Sequence, residues 1–191
     1  MTHIASPRVF LSLLLSAALL AACSENQSTV LAATRAGATA ELLGAKGEKI
    51  GTAELRQTPA GVEIEMKVFG LTPGVHALHI HNTGDCHTPG PDGKVFSAAG
   101  AHFNPFGKQH GLENPKGPHA GDLPNFTVAA DGSALVKVVN SRVTLDDGKA
   151  NSLFQPGETC LVIHEKADDG TSDPAGDSGE RVACGAIKKK K

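Results

Sequence analysis

The sequence predicts an all-β domain, a Greek-key antiparallel sandwich or barrel with long loops. Apolar and polar residues alternate in short runs from Ala38 onward, 22 Gly and 11 Pro punctuate the 191 residues, and no segment sustains helical periodicity. With no Trp or Tyr, the core must be built from aliphatic side chains and a few Phe. Lys and Arg number 18 against 20 Asp and Glu, a formal charge of -2, so the chain lacks a basic footprint for nucleic acid. A hydrophobic content of 40% argues against wholesale disorder.

The first residues stand outside this fold. Arg8 precedes an apolar run over residues 9–22 that closes on Leu20-Ala21-Ala22-Cys23, after which Ser24, Glu25 and Asn26 turn polar. Roughly 14 apolar residues fall short of the ~20 that a membrane-spanning helix needs, so residues 1–22 read as an export signal. Small residues before a Cys at the end of such a run resemble the lipobox of bacterial lipoproteins. Cys23 is therefore the expected lipidation site and the tie to a membrane. Residues 23–37 follow as a flexible tether, and the folded domain spans 38–191. Export places the domain in an extracytoplasmic, periplasmic setting where disulfides persist.

Within the domain, residues 40–43, 50–55 and 62–68 alternate with period two and predict half-buried strands. Thr58-Pro59-Ala60-Gly61 separates the last two; its Pro fixes backbone angles and its Gly relaxes them, as a hairpin turn requires. Shorter apolar runs at 75–80, 126–130, 134–139, 143–145, 161–164 and 182–187 predict further strands. About 45 residues between His81 and Phe126, rich in Gly, Pro, His and Asn, are too many for a passive connection and mark a functional loop. The terminal run of Lys188 to Lys191 reads as a solvated end.

Nine His are many for this length, and most fall in one central stretch from His76 to His119. His79 and His81 stand two residues apart, so on a strand both imidazoles project from one face and can turn to one metal ion. An H-x-H pair alone is often incidental. His102, His110 and His119 follow in the long loop, with Asp122 three residues after the last. Three imidazoles and a carboxylate make a tetrahedral zinc set, and the Gly and Pro around them shape a loop that a merely solvated His cluster would not need. His164 ends a distant strand.

Seven segments then align in order: Gly74-Val75-His76-Ala77-Leu78-His79-Ile80-His81; Gly84-Asp85-Cys86; Ala99-Gly100-Ala101-His102-Phe103-Asn104-Pro105; His110-Gly111; His119-Ala120-Gly121-Asp122-Leu123; His164-Glu165-Lys166-Ala167-Asp168-Asp169; and Arg181-Val182-Ala183-Cys184-Gly185. Together they resemble the copper,zinc superoxide dismutase family in its exported bacterial form. The resemblance implies that His79, His81, His102 and His164 bind copper, that His102, His110, His119 and Asp122 bind zinc, and that His102 bridges the two. It also implies that Asp168 accepts hydrogen bonds from His79 and His110, that His76 supports the backbone beside the copper strand, and that Cys86 and Cys184 form a disulfide. Cys160 is left as a buried thiol.

The implied reaction is disproportionation of superoxide to dioxygen and hydrogen peroxide by a cycling copper ion beside a structural zinc ion. His102 and Arg181 are the implied catalytic residues, Arg181 guiding the anion. Defence against extracytoplasmic superoxide is the implied role, and metal delivery without turnover is the alternative for this fold. One departure stands out: the electrostatic loop holds Asp168, Asp169, Asp173, Asp177 and Glu180 without a Lys, so compensation is expected from Lys94 or Lys108. A homodimer is a family expectation that the long Cys86 to His102 spacing leaves open.

Overall fold

The computed structural model describes residues 1–2, 37–87 and 89–190. Residues 3–36, which hold most of the export signal, Cys23 and nearly all of the tether, lie outside the described residues. Gly37, assigned above to the tether, is already the first residue of a strand.

Strands β1 (Gly37–Gly44), β2 (Lys49–Thr58) and β3 (Gly61–Val68) form an antiparallel meander. Alternation decides which side chains it buries: Leu42, Leu55, Ile64 and Met66 are fully inside, each worth about 1.5–3 kcal/mol, while Glu54 and Arg56 face water. Thr58 pairs with Gly61, so Pro59 and Ala60 are the turn residues. Gly61 has φ 129, and a Cβ there would stand 2.3 Å from the Asn140 carbonyl oxygen.

The remaining strands are β4 (Gly74–His76), β5 (Leu78–His81), β6 (Phe126–Val128), β7 (Ala134–Asn140), β8 (Cys160–His164), β9 (Arg181–Ala186) and β10 (Lys188–Lys189). The main sheet runs β5-β8-β9-β1-β2-β3-β7, with β10 also on β1, and β4 pairs with β6. From β3 the chain does not go on to its sheet neighbour β7 but leaves for β4, which pairs with β6 in the second sheet, and only later returns to β7, as a Greek-key connection does. The outcome is a curled, all-antiparallel half-barrel with no α-helix among the described residues.

Three expectations change. The 75–80 run is two strands, because Ala77 is drawn aside by hydrogen bonds to Lys166 and His164 and the chain changes partner from β6 to β8. Val143 and Leu145 are buried but residues 143–145 form no strand: the Leu145 N–H donates to Gln57 Oε1 and the Thr144 N–H to Asn151 O, so the backbone is satisfied outside any strand. The terminal lysines are solvent-exposed, as expected, but they are not a loose tail. Lys188 and Lys189 pair with β1, and Lys188, Lys189 and Lys190 meet Glu158, Asp147 and Glu54.

Candidate metal centre

Strand β5 ends the main sheet, with β8 on one edge, and its other edge is covered by the long loop. The Ile80 N–H donates to Gly121 O and the Phe103 N–H to Ile80 O, both at 2.8 Å. Gly121 makes this approach feasible, since a Cβ there would lie 2.2 Å from Ile80 O. Two distant parts of the loop are thereby pinned beside His79 and His81. His79 stands opposite Asp122, and His81 opposite His102. Leu78 and Ile80 point into the core while His79 and His81 point the other way, and all four are buried.

The ligating atoms of His79, His81, His102 and His164 lie within 4.8 Å of one another. In three of these imidazoles the far nitrogen is already engaged. His79 Nε2 meets Asp168 Oδ2 at 2.7 Å, His81 Nδ1 meets Gly100 O at 2.9 Å, and His164 Nδ1 meets Gly179 O at 3.3 Å. The near nitrogens of His79 (Nδ1) and His102 (Nε2) are buried without a protein partner, and His81 Nε2 and His164 Nε2 face each other at 3.4 Å. Buried, unpartnered imidazole nitrogens converging on one point fit a copper ion. Burial also lowers the pKa of each ring, to about 4 for His102 and about 3 for His164, which keeps them neutral and able to ligate.

The zinc set converges on a carboxylate. Asp122 Oδ1 lies 2.9 Å from His102 Nδ1, 3.1 Å from His110 Nδ1 and 3.3 Å from His119 Nδ1. Asp122 Oδ2 is fixed by the Gly111 and His119 N–H groups, each at 2.9 Å. Three nitrogens and one oxygen, all buried, fit zinc. His79 is also near this group, but with Nε2 taken by Asp168 and only Nδ1 open it belongs to the copper set. Asp168 itself joins the two sets: its carboxylate meets His79 Nε2 and, at 3.0 Å, His110 Nε2. Burial opposes its charged form, yet these two imidazoles and the Gly170 N–H hold the carboxyl well below the usual range.

A cleft of about 480 Å³ reaches the copper set and, of the zinc set, only the shared His102; His81, His102, His164 and Arg181 line it. Arg181 opens β9, where a bulge at Ile163/His164 sets it beside His164. Its two terminal nitrogens donate to Phe96 O at 2.7 Å and Gly100 O at 2.6 Å. Gly100 O thus serves both Arg181 and His81. These carbonyls carry no side-chain signature, and sequence reasoning passed over them; Phe96 at φ 60 and Gly100 at φ 74 are the local signs of the loop's shaping.

The acidic loop is less repulsive than its composition implies. Asp168 is engaged with the imidazoles, Asp169 caps the Thr171 and Ser172 N–H groups, and Asp173 accepts the His110 N–H at 2.7 Å. Glu180 pairs with Lys94 at 2.7 Å, which is the expected lysine compensation. Asp92 also lines the cleft.

Cys86 and Cys184 are joined by a disulfide. Cys160 is buried beside them, its Sγ–H donating to Thr83 O, and burial pushes its pKa up to about 12, so almost no thiolate exists at neutral pH. His76 is no ligand: its ring spans His164 O and Thr72 O at 2.7 and 2.8 Å and braces the backbone of a copper histidine.

The family model for copper/zinc superoxide dismutase matches residues 49–187. The chain is 51% identical over 152 residues to Cu-Zn superoxide dismutase 2 of Aquifex aeolicus, covering 79% of this chain and 86% of that one. Among solved structures, a SOD-like protein from Bacillus subtilis aligns with a TM-score of 0.72 at 36% identity, over 78% of this chain and 96% of that one. Cu/Zn superoxide dismutase from Brucella abortus aligns with a TM-score of 0.65 at 31% identity, over 80% of this chain and 99% of that one. With a histidine copper site and a histidine and aspartate zinc site sharing His102, the chain belongs to the copper/zinc superoxide dismutase family and disproportionates superoxide to dioxygen and hydrogen peroxide.

Proposed function

We propose that Arg181, His102 and Asp168 divide the protein's part of this reaction, and that the reaction takes place outside the cytoplasm on a chain held to a membrane through Cys23. The observation that carries the division of roles is the single cleft in which Arg181 and His102 stand together beside the copper set. Bound copper supplies reversible one-electron chemistry, and bound zinc, which has no redox chemistry, supplies fixed charge and rigidity.

Arg181 draws in and docks the anion. Its guanidinium is braced by Phe96 O and Gly100 O, so the charge is held at the cleft wall and needs little reordering when superoxide arrives. His102 handles a proton: Nε2 is buried and without a protein partner, while Asp122 grips Nδ1 at 2.9 Å. Nε2 is the atom able to hand a proton to the peroxide product, one of the two protons that two superoxide ions need. Asp168 keeps His79 and His110 in the tautomer that turns Nδ1 inward.

Replacing Arg181 with Ile is expected to lower kcat/KM about tenfold at low salt and to flatten its dependence on ionic strength. Stopped-flow superoxide decay at two salt concentrations checks this, and an unchanged rate at both would remove Arg181 from the mechanism.

Export is supported by the apolar run ending at Cys23 and by a disulfide of the kind that persists in oxidising compartments. A clickable fatty-acid analogue should label the full chain expressed in bacteria and spare Cys23→Ser; equal labelling of both would count against the anchor. The exposed apolar side chains of Val75 on β4 and of Leu135 and Val139 on β7 support a homodimer, and sedimentation at the monomer mass would argue against it.

A further inference from the structure

We infer that Asn125 is a positioning residue that locks Asp168 between the two metal sets. This rests on the reading of Asp168 as the carboxylate that orients His79 and His110. Asp168 lies outside every strand, and among the described residues the hydrogen bonds of its backbone go to one side chain. Asn125 Oδ1 accepts the Asp168 N–H at 2.9 Å, and Asn125 Nδ2 donates to Asp168 C=O at 2.8 Å. A carboxamide has one acceptor and one donor side, so it grips both polar groups of a residue as a neighbouring strand would. An ionised carboxylate, which only accepts, cannot do both.

The placement of Asn125 gives the grip a direction. It lies three residues after the zinc ligand Asp122 and immediately before β6. The connections close a circuit: Asp122 leads along the chain to Asn125, Asn125 holds Asp168, Asp168 meets His110 Nε2, and His110 Nδ1 returns to Asp122 Oδ1 at 3.1 Å. A zinc ion that fixes Asp122 and His110 therefore also tightens the segment carrying Asn125. Through Asp168 the same restraint reaches His79 Nε2 at 2.7 Å. Without Asn125 the Asp168 backbone loses both of its hydrogen bonds, and the carboxylate is then placed only by the two rings themselves and by the Gly170 N–H.

Asn125 is solvent-exposed and lines a shallow cleft of about 230 Å³ with Leu112, Leu123 and Pro124. Truncating it opens no core cavity, so the consequence appears at the metal sets rather than in the fold. The test compares Asn125→Ala, Asn125→Asp and Asp168→Asn with the parent by chelator competition for zinc, and by Tm with and without zinc. Asn125→Ala is expected to weaken zinc binding about tenfold, the lower end for groups that orient a ligand. Its Tm deficit should be larger with zinc than without. Asn125→Asp keeps the acceptor but sets an oxygen against Asp168 C=O, so it should behave like the alanine variant.

Unchanged zinc affinity in Asn125→Ala, with an equal fall or no fall in both Tm values, would overturn the inference and make Asn125 a loop staple at most. If Asp168→Asn nevertheless weakens zinc, the reading of Asp168 survives that failure. Should Asp168→Asn leave zinc binding unchanged too, the orienting role of Asp168 falls and the inference with it.

Discussion

Asp122→Asn is expected to weaken zinc binding by about 100-fold or more, beyond the usual loss from disturbing a group that only orients a ligand. One oxygen of Asp122 faces three imidazole nitrogens at 2.9, 3.1 and 3.3 Å, and the other accepts two backbone N–H groups. Burial by itself would raise this carboxyl's pKa. The contacts from His102, His110 and His119 and the Gly111 N–H reverse that and hold it well below the usual carboxylate range. Asparagine cannot serve both sides. If its oxygen turns to the imidazoles, its NH₂ meets the Gly111 and His119 donors, and a buried unmet donor costs about 1–3 kcal/mol. If it turns the other way, the zinc set loses its oxygen.

The same geometry sets a pH dependence that can be read separately. His110 is buried, which disfavours its cation, yet it lies between Asp122 and Asp168, and its pKa is raised to about 9. Below that pH a proton competes with zinc for His110, so zinc affinity should climb as pH rises toward 9 and fall as the ring gains its proton. Asp122→Asn removes one of the two carboxylates and should make that climb shallower. Chelator competition from pH 6 to 9 measures both effects. Zinc held by the variant within threefold of the parent would mean that Asp122 is not the ligand its geometry implies.

How far the site was legible follows from what each residue shows of itself. His102, His110, His119 and Asp122 were readable because the ligands are side chains close in sequence, inside a loop with the Gly and Pro to fold around them. His164 was not readable as their partner from spacing alone: it meets His79 and His81 only because β8 pairs with β5, and that pairing is a property of the whole sheet. Only the ordered resemblance supplied it. The carbonyls of Phe96 and Gly100 that brace Arg181 were illegible for a different reason, since any residue offers a carbonyl and its direction depends on the loop's dihedral angles. Alternation located β1, β2 and β3 because one face is buried and one wet. It failed at 143–145, where Val143 and Leu145 are buried but hydrogen bonds go to Gln57 and Asn151; at Lys188 and Lys189 the charge told of solvent correctly, and what it did not show is that the backbone there pairs with β1.

Removal of the Cys86–Cys184 disulfide, as the double variant Cys86→Ala and Cys184→Ala, is expected to lower Tm by about 10 °C or more. The bridge spans a sequence separation of 98. Chain-entropy reasoning assigns closures of that size about 4–5 kcal/mol, and for a chain of this size each kcal/mol moves Tm by about 2–4 °C. Both cysteines must go, because the three Sγ atoms of Cys86, Cys160 and Cys184 lie within 4.8 Å and a single variant would leave Cys160 beside an orphaned thiol. The loss should also reach function by a defined route. Cys184 follows Arg181 by three residues, and Cys86 leads into the segment whose Phe96 and Gly100 carbonyls brace the guanidinium. The bridge therefore ties together the two pieces of chain that build the cleft wall. The double variant should lose rate and salt dependence as Arg181→Ile does, at temperatures where it is still folded. Zinc should stay, because the zinc part of the loop is pinned to β5 through Ile80, Phe103 and Gly121 and does not depend on Cys86. A Tm within 2 °C of the parent would exclude loop closure as a main source of stability. Loss of zinc in step with rate would show that the bridge supports the whole metal centre rather than the cleft wall alone.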